Sequence, residues 1–272
     1  MSKLSGWKIV CLAVAGVALS PLAADVVGAD SFSDQAAKLD IIGVHLGMTP
    51  AQAKSVVVQH HKGMSWKEGR NALGIPEDPI LDGADARWGG VNLDRAGEIV
   101  DVVFSPPPGD PKVLALSRVV VFEKSQAPTV ETLFSSLTDK FGQPTYQSQV
   151  GAGDHEMVWT WDKAGQISKP SVQLDACSGE WLSNNLDRMG ANSFYFIPDL
   201  QRESDGGCAM GVRAIIRVHS SSPGIADGLD MTLIDPHDAL PAAIATADHL
   251  KQVKQAKADE ALKKASANKP SL

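Results

Sequence analysis

Two spacings of apolar residues alternate along the chain, one helical and one extended. Val130, Leu133, Phe134, Leu137 and Phe141 recur at the helical period on one face, with Thr129 placed as N-cap and Gly142 and Pro144 closing the segment. Gly47-Met48-Thr49-Pro50-Ala51-Gln52 predicts a second helix start: Thr49 caps, Pro50 takes the first helical position, and Gln52 closes a capping box. That helix runs to about His60, with Ala53, Val56 and Val57 facing inward. Ser65-Trp66-Lys67-Glu68 repeats the capping spacing and predicts a short helix leading to Gly74. The stretch from Glu77 to Gly90 is rich in Pro, Gly and Asp and reads as loop.

Extended segments follow a different rhythm. Ile99 to Phe104 and Val113 to Phe122 are rich in β-branched residues around the turn-forming run from Ser105 to Pro111, which predicts a hairpin. Tyr146 to Gln149 and Met157 to Trp161 flank a turn at Gly151-Ala152-Gly153-Asp154. Val172 to Ala176, Phe194 to Ile197, Val212 to His219 and Leu229 to Ile234 complete the strand set, and Val212, Ala214, Ile216 and Val218 share one face. A last helix, capped by Asp235 with Pro236 at its first position, carries Leu240, Ile244, Ala247, Leu250 and Val253 on its apolar side. The pattern predicts an α+β fold, mainly antiparallel sheet with helices on one face. Helix, Gly-x-Pro and strand recur over 49–104 and 129–161, which points to two related helix-plus-strand modules.

Composition changes this picture chiefly at the N-terminus. Lys3 and Lys8 precede an apolar run from Ile9 to Leu19, too short to span a bilayer, and small residues follow. This is the pattern of a secretory signal peptide over residues 1–29, with cleavage after Ala24 or Ala29. Export to the periplasm follows. Cleavage removes Cys11 and leaves Cys177 and Cys208 in an oxidising compartment, so these two are expected to form a disulfide. The loop it closes stabilises by roughly 3.7 kcal/mol in the chain-entropy account. The remaining organisation reads as an N-terminal α+β region over 30–162, a disulfide-containing β region over 163–235, and a C-terminal helix with a Lys-rich tail over 236–272. A formal net charge of −7 excludes nucleic acid as the main partner.

Gly47-Met48-Thr49, the helix after it, Leu73-Gly74-Ile75-Pro76 and Ile99-Val100-Asp101-Val102-Val103-Phe104 resemble the Gly-Met-Thr, Leu-Gly-x-Pro, strand pattern of SmpA/OmlA-type outer-membrane assembly lipoproteins. The resemblance covers residues 47–104 and lacks the family's lipidated cysteine. It implies helices packed on a small antiparallel sheet, a module that binds partner proteins, and no catalytic residues. The wider chain looks like uncharacterised exported proteobacterial proteins.

Catalytic motifs are missing: there is no Gly-x-Ser-x-Gly, no His-Glu-x-x-His, no P-loop and no dinucleotide fingerprint. No cofactor and no metal site is expected. His60 and His61 are adjacent, so on a helix they diverge by about 100° and cannot readily share a metal. Asp154-His155-Glu156 combines an imidazole with two carboxylates and supports a rival reading, a periplasmic hydrolase or metal-binding protein. Two features point instead to binding surface. Trp159 and Trp161 share a strand face, and Lys251, Lys254 and Lys257 step along one side of the last helix, where anionic lipid or polymer could be contacted. The sequence is therefore read as a non-enzymatic envelope protein with a protein partner.

Overall fold

The computed structural model describes residues 38–71, 79–90, 95–151, 153–164, 201, 205 and 207–267. The signal segment, Cys177, and the strands expected at Val172 to Ala176 and Phe194 to Ile197 lie outside the described residues.

Helix α1 (Pro50–His60) begins as its sequence dictates: Gln52 Oε1 accepts from Thr49 N at 2.9 Å while Thr49 Oγ1 accepts from Gln52 N at 3.4 Å. Ala53 and Val57 are its buried positions. Helix α2 (Val130–Phe141) is capped by Thr129, and Gly142 ends it at φ 81, a left-handed conformation that glycine adopts without cost. Leu137 and Phe141 point into the core.

Among the described residues each of these helices is followed by four strands. After α1 come β3 (Ser65–Asn71), β4 (Ile80–Gly89), β5 (Gly97–Phe104) and β6 (Val113–Val121); after α2 come β7 (Tyr146–Val150), β8 (Asp154–Trp161), β9 (Met210–His219) and β10 (Ser222–Ile234). They join one antiparallel sheet in the order β3-β4-β5-β6-β10-β9-β8-β7. Among the described residues the order of one helix and four strands thus occurs twice, and the two units meet at the central β6–β10 pair. At the spacing of hydrogen-bonded strands the sheet is about 34 Å across. A two-stranded hairpin, β1 (Asp40–Ile41) with β2 (Val44–His45), precedes α1.

The main core lies between α1, α2 and one face of the sheet, where Val100, Val102, Leu116, Met231, Leu233, Val212, Ala214, Ile216, Met157 and Trp159 are buried. Helix α3 (Pro236–Ala267) leaves the end of β10 directly and forms a separate small cluster of Ala239, Leu240 and Ala243 with Leu114.

Several expectations are corrected. Residues from Ser65 onward form β3 and not a helix: Ser-Trp-Lys-Glu-Gly-Arg-Asn has a capping spacing but no apolar stripe at the helical period for a helix to bury. The stretch read as loop contains β4, whose Ala84 and Ala86 alternate inward. Its Asp and Gly content obscured this, yet small residues are what the position requires, since a Cβ at Gly83 would lie 2.8 Å from the Val102 carbonyl oxygen. In α3 the inward side is Ala239, Leu240, Ala243, Thr246 and Leu250, so Ile244, expected inside, is 43% exposed. Thr246 explains the rotation: its Oγ1 donates at 2.7 Å to the Pro107 carbonyl in the β5–β6 loop.

Candidate interaction surface

The sheet face away from α1 and α2 is ordered by strand register into rows that cross all eight strands. One row runs Lys67, Asp85, Asp101, Ser117, Thr232, Arg213, Val158, Tyr146; the next runs Ser65, Arg87, Ile99, Val119, Asp230, Ile215, Glu156, Ser148. In the first, Ser117, Thr232 and Val158 are buried. In the second no member is buried. This open row places three β-branched side chains, Ile99, Val119 and Ile215, partly exposed near the middle of the sheet, with Asp230 among them and Arg87 and Glu156 beyond. An apolar centre edged by charge is the composition of a protein-binding patch.

Ion pairs hold the charged members in place. Arg213 Nε donates to Glu156 Oε1 at 2.6 Å, and Ser148 Oγ donates to Glu156 Oε2 at 3.1 Å. Arg217 lies along β10 over Gly228, where a Cβ would collide with its guanidinium and with the Val120 carbonyl. From there Arg217 donates to Val120 O at 2.8 Å and pairs with Asp230 at 3.2 Å. Burial pushes the Asp230 carboxyl above its usual range; Arg217 opposes that push and Asp154 adds to it. Asp230 Oδ1 is buried and has Arg217 as its ion-pair partner, while Arg217 Nε is buried without a hydrogen bond.

The rival acid–base constellation is taken apart by the strand pleat. Asp154, His155 and Glu156 begin β8 and do not form a turn, so His155 points to the side of α2, beside Phe134, and the two carboxylates point to the other side. Asp154 accepts from Val218 N at 2.9 Å and Glu156 is engaged by Arg213.

Comparison of the chain with known protein families, curated proteins and solved structures finds no match. The remaining sequence candidates are placed by the structure alone.

Trp159 and Trp161, read as candidate surface, are 0% and 4% exposed. They are core residues: Trp159 packs on Phe141 with ring centroids 5.3 Å apart, and its Nε1 donates to Gly142 O at 2.8 Å. Lys251, Lys254 and Lys257 are exposed on α3, but Asp248 and Asp259 flank Lys251 on the same side, so the helix surface is mixed in charge. Cys208 is buried and disulfide-bonded.

Two charged centres were not anticipated. Glu98 is buried on the helix-bearing face, where Arg118 Nε donates to its Oε1 at 2.5 Å and His60 Nε2 lies 3.1 and 3.2 Å from its two oxygens. The signal was present in the alternation of Glu98 with Val100 and Val102, which assigns the Glu to the core side of β5. At the start of α3, Asp235 is buried and accepts from Asp238 N at 2.8 Å, confirming it as the N-cap; burial, reinforced by Asp238, pushes its carboxyl up to about 7. Asp235, His237 and Asp238 bring potential ligand atoms within 4.8 Å of one another. They surround a helix N-terminus, whose partial positive charge disfavours a cation. Among the described residues no helix is long and apolar enough to cross a membrane.

Proposed function

We propose that this chain is a non-enzymatic interaction protein of the bacterial envelope, exported to the periplasm, which binds a protein partner through the open row of its sheet. The observation that carries the reading is the set Ile99, Val119 and Ile215, three β-branched side chains left partly exposed in register across the middle of an antiparallel sheet. A sheet face that served stability alone would be covered or uniformly polar. The charges around the row are of both signs, so the partner fitted to it presents an apolar patch with a mixed-charge rim, and it is neither a polyanion nor a bare lipid surface.

Export is supported by the basic, apolar and small-residue order of residues 1–29 and by the disulfide at Cys208, in keeping with the pairing to Cys177 that the sequence leads one to expect. The resemblance of residues 47–104 to SmpA/OmlA-type lipoproteins supports a partner-binding role for the first helix-and-strand unit.

Affinity capture from periplasmic extract tests the proposal. The exported chain is expected to recover one stoichiometric protein, and Val119→Arg combined with Ile215→Arg should lower recovery about tenfold or more, since central interface residues carry most of the binding energy. Lys251→Ala, Lys254→Ala and Lys257→Ala together should leave recovery unchanged. Equal recovery with the double arginine variant, once circular dichroism shows that it is folded, would overturn the proposal, and loss with the lysine variant would move the site to α3.

A further inference from the structure

We infer that the cavity on the helix-bearing side of the sheet, at the seam between the two helix-and-strand units, binds a small organic carboxylate with an apolar tail. The cavity has a volume of about 220 Å³. That is below the roughly 300 Å³ at which sites for drug-sized ligands begin, so it suits a compact molecule and not a peptide segment. Its walls come from both units: Arg118 of β6, Met231 of β10, Leu133, Ser136 and Lys140 of α2, and Ile42 from the β1–β2 turn.

The lining states the chemistry of the occupant. Most of it is aliphatic, and two cations stand at it. An uncharged apolar molecule would desolvate the N–H groups of both cations that Glu98 and Asp40 do not engage, and a bare inorganic anion would leave the aliphatic walls unused. A carboxylate on a short alkyl chain meets both conditions. Each cation is positioned from behind: Glu98 accepts from Arg118 Nε at 2.5 Å, and Asp40 Oδ1 accepts from Lys140 Nζ at 2.8 Å. Glu98 takes only the Nε of Arg118, so the two Nη groups make no hydrogen bond to the described residues and are left to receive a carboxylate in the forked geometry that guanidinium favours. The double hold of Glu98 by Arg118 and His60 fixes that orientation.

A second, independent observation comes from the backbone. Ile42 and Gly43 form the two-residue β1–β2 turn with φ of 52 and 85. Turns with both central φ positive take Asn, Asp or Gly, and a β-branched residue is the least suited to the first position. The chain nevertheless places Ile there, and the same Ile lines the cavity. Strained backbone of this kind concentrates where a side chain must be held against a ligand. The inference does not depend on the open row, which lies on the other face of the sheet.

Octanoate is the probe, titrated calorimetrically into the exported chain. One-site binding is expected, and octanol and acetate, which lack the charge and the tail respectively, should each bind about tenfold more weakly or worse. Lys140→Gln, at a partly exposed position, should weaken octanoate about tenfold and leave octanol unaffected. Leu133→Trp, which fills the space, should abolish both. Arg118→Gln removes a partner of buried Glu98, so Lys140→Gln carries the charge test if the arginine variant fails to fold. Equal binding of octanoate and octanol, octanoate binding unchanged by Lys140→Gln, or no octanoate binding at millimolar concentration would each overturn the inference.

Discussion

Trp159→Ala is expected to lower the unfolding free energy by about 4 kcal/mol, at the upper end of what one substitution does. The side chain is fully buried at the junction of β8 and the end of α2, against Phe141. Truncation removes a large apolar area, leaves a cavity in a core held on two sides by sheet neighbours and helix, and orphans the Gly142 carbonyl that now accepts the indole N–H. Trp159→Phe separates these contributions: it retains most of the ring packing and loses the hydrogen bond, so about 1 kcal/mol is expected. Urea unfolding followed by far-UV circular dichroism measures both. A loss below 1 kcal/mol for the alanine variant would mean that Trp159 is not the anchor between α2 and the second half of the sheet. Against the typical 5–15 kcal/mol of a folded domain, the expected loss would leave the protein marginal.

The second large effect is a pH dependence at the root of α3. Asp235 has a folded-state pKa pushed up to about 7, against 3.8 unperturbed, because burial penalises its ionised form and Asp238 adds repulsion. A carboxyl raised on folding holds a proton that the unfolded chain releases, so stability falls as pH rises from about 4, and the loss is complete above about 7. A shift of this size corresponds to about 4 kcal/mol. Asp235→Asn retains the cap acceptor for Asp238 N and removes the ionisation. The variant and the parent are expected to be equally stable at pH 4, and the variant more stable by about 4 kcal/mol at pH 8, in paired urea titrations. The difference between the two proteins cancels every other titrating group. A constant offset at both pH values would show that Asp235 is ionised in the fold throughout.

Much of the architecture is legible in the amino-acid sequence. Thr49 with Gln52, Thr129 with Gly142, and Asp235 with Pro236 marked three helix starts or ends because capping is a local matter of a few adjacent groups. The β-branched runs at Ile99 to Phe104 and Val212 to His219 marked strands for the same local reason. β3 and β4 escaped because neither is held by its own propensity. Among the described residues β3 is an edge strand paired with β4 alone, and β4 is built of Asp, Gly and Ala pressed between neighbours, so their extended form is imposed by the sheet. The open row was invisible for a related reason. Ile99, Val119, Asp230 and Ile215 come from four strands, and only the pairing register aligns them. Trp159 and Trp161 were misread in the opposite sense: a large aromatic suggests a binding surface by its type, but their alternation with Val158 and Thr160 could not say which sheet face was covered by helices. Glu98 could have been found, since a lone acid in step with Val100 and Val102 announces a buried charge in need of partners.

The claim that the open row is the binding surface is tested most directly by site-specific photo-crosslinking in the periplasm. A photoreactive residue at Val119, in the open row, is compared with one at Val58, which is 41% exposed on α1 and projects from the other side of the sheet. The expected result is one crosslinked protein partner from position 119 and none from position 58. Crosslinks from Val58 with none from Val119 would contradict the assignment and place the partner on the helices.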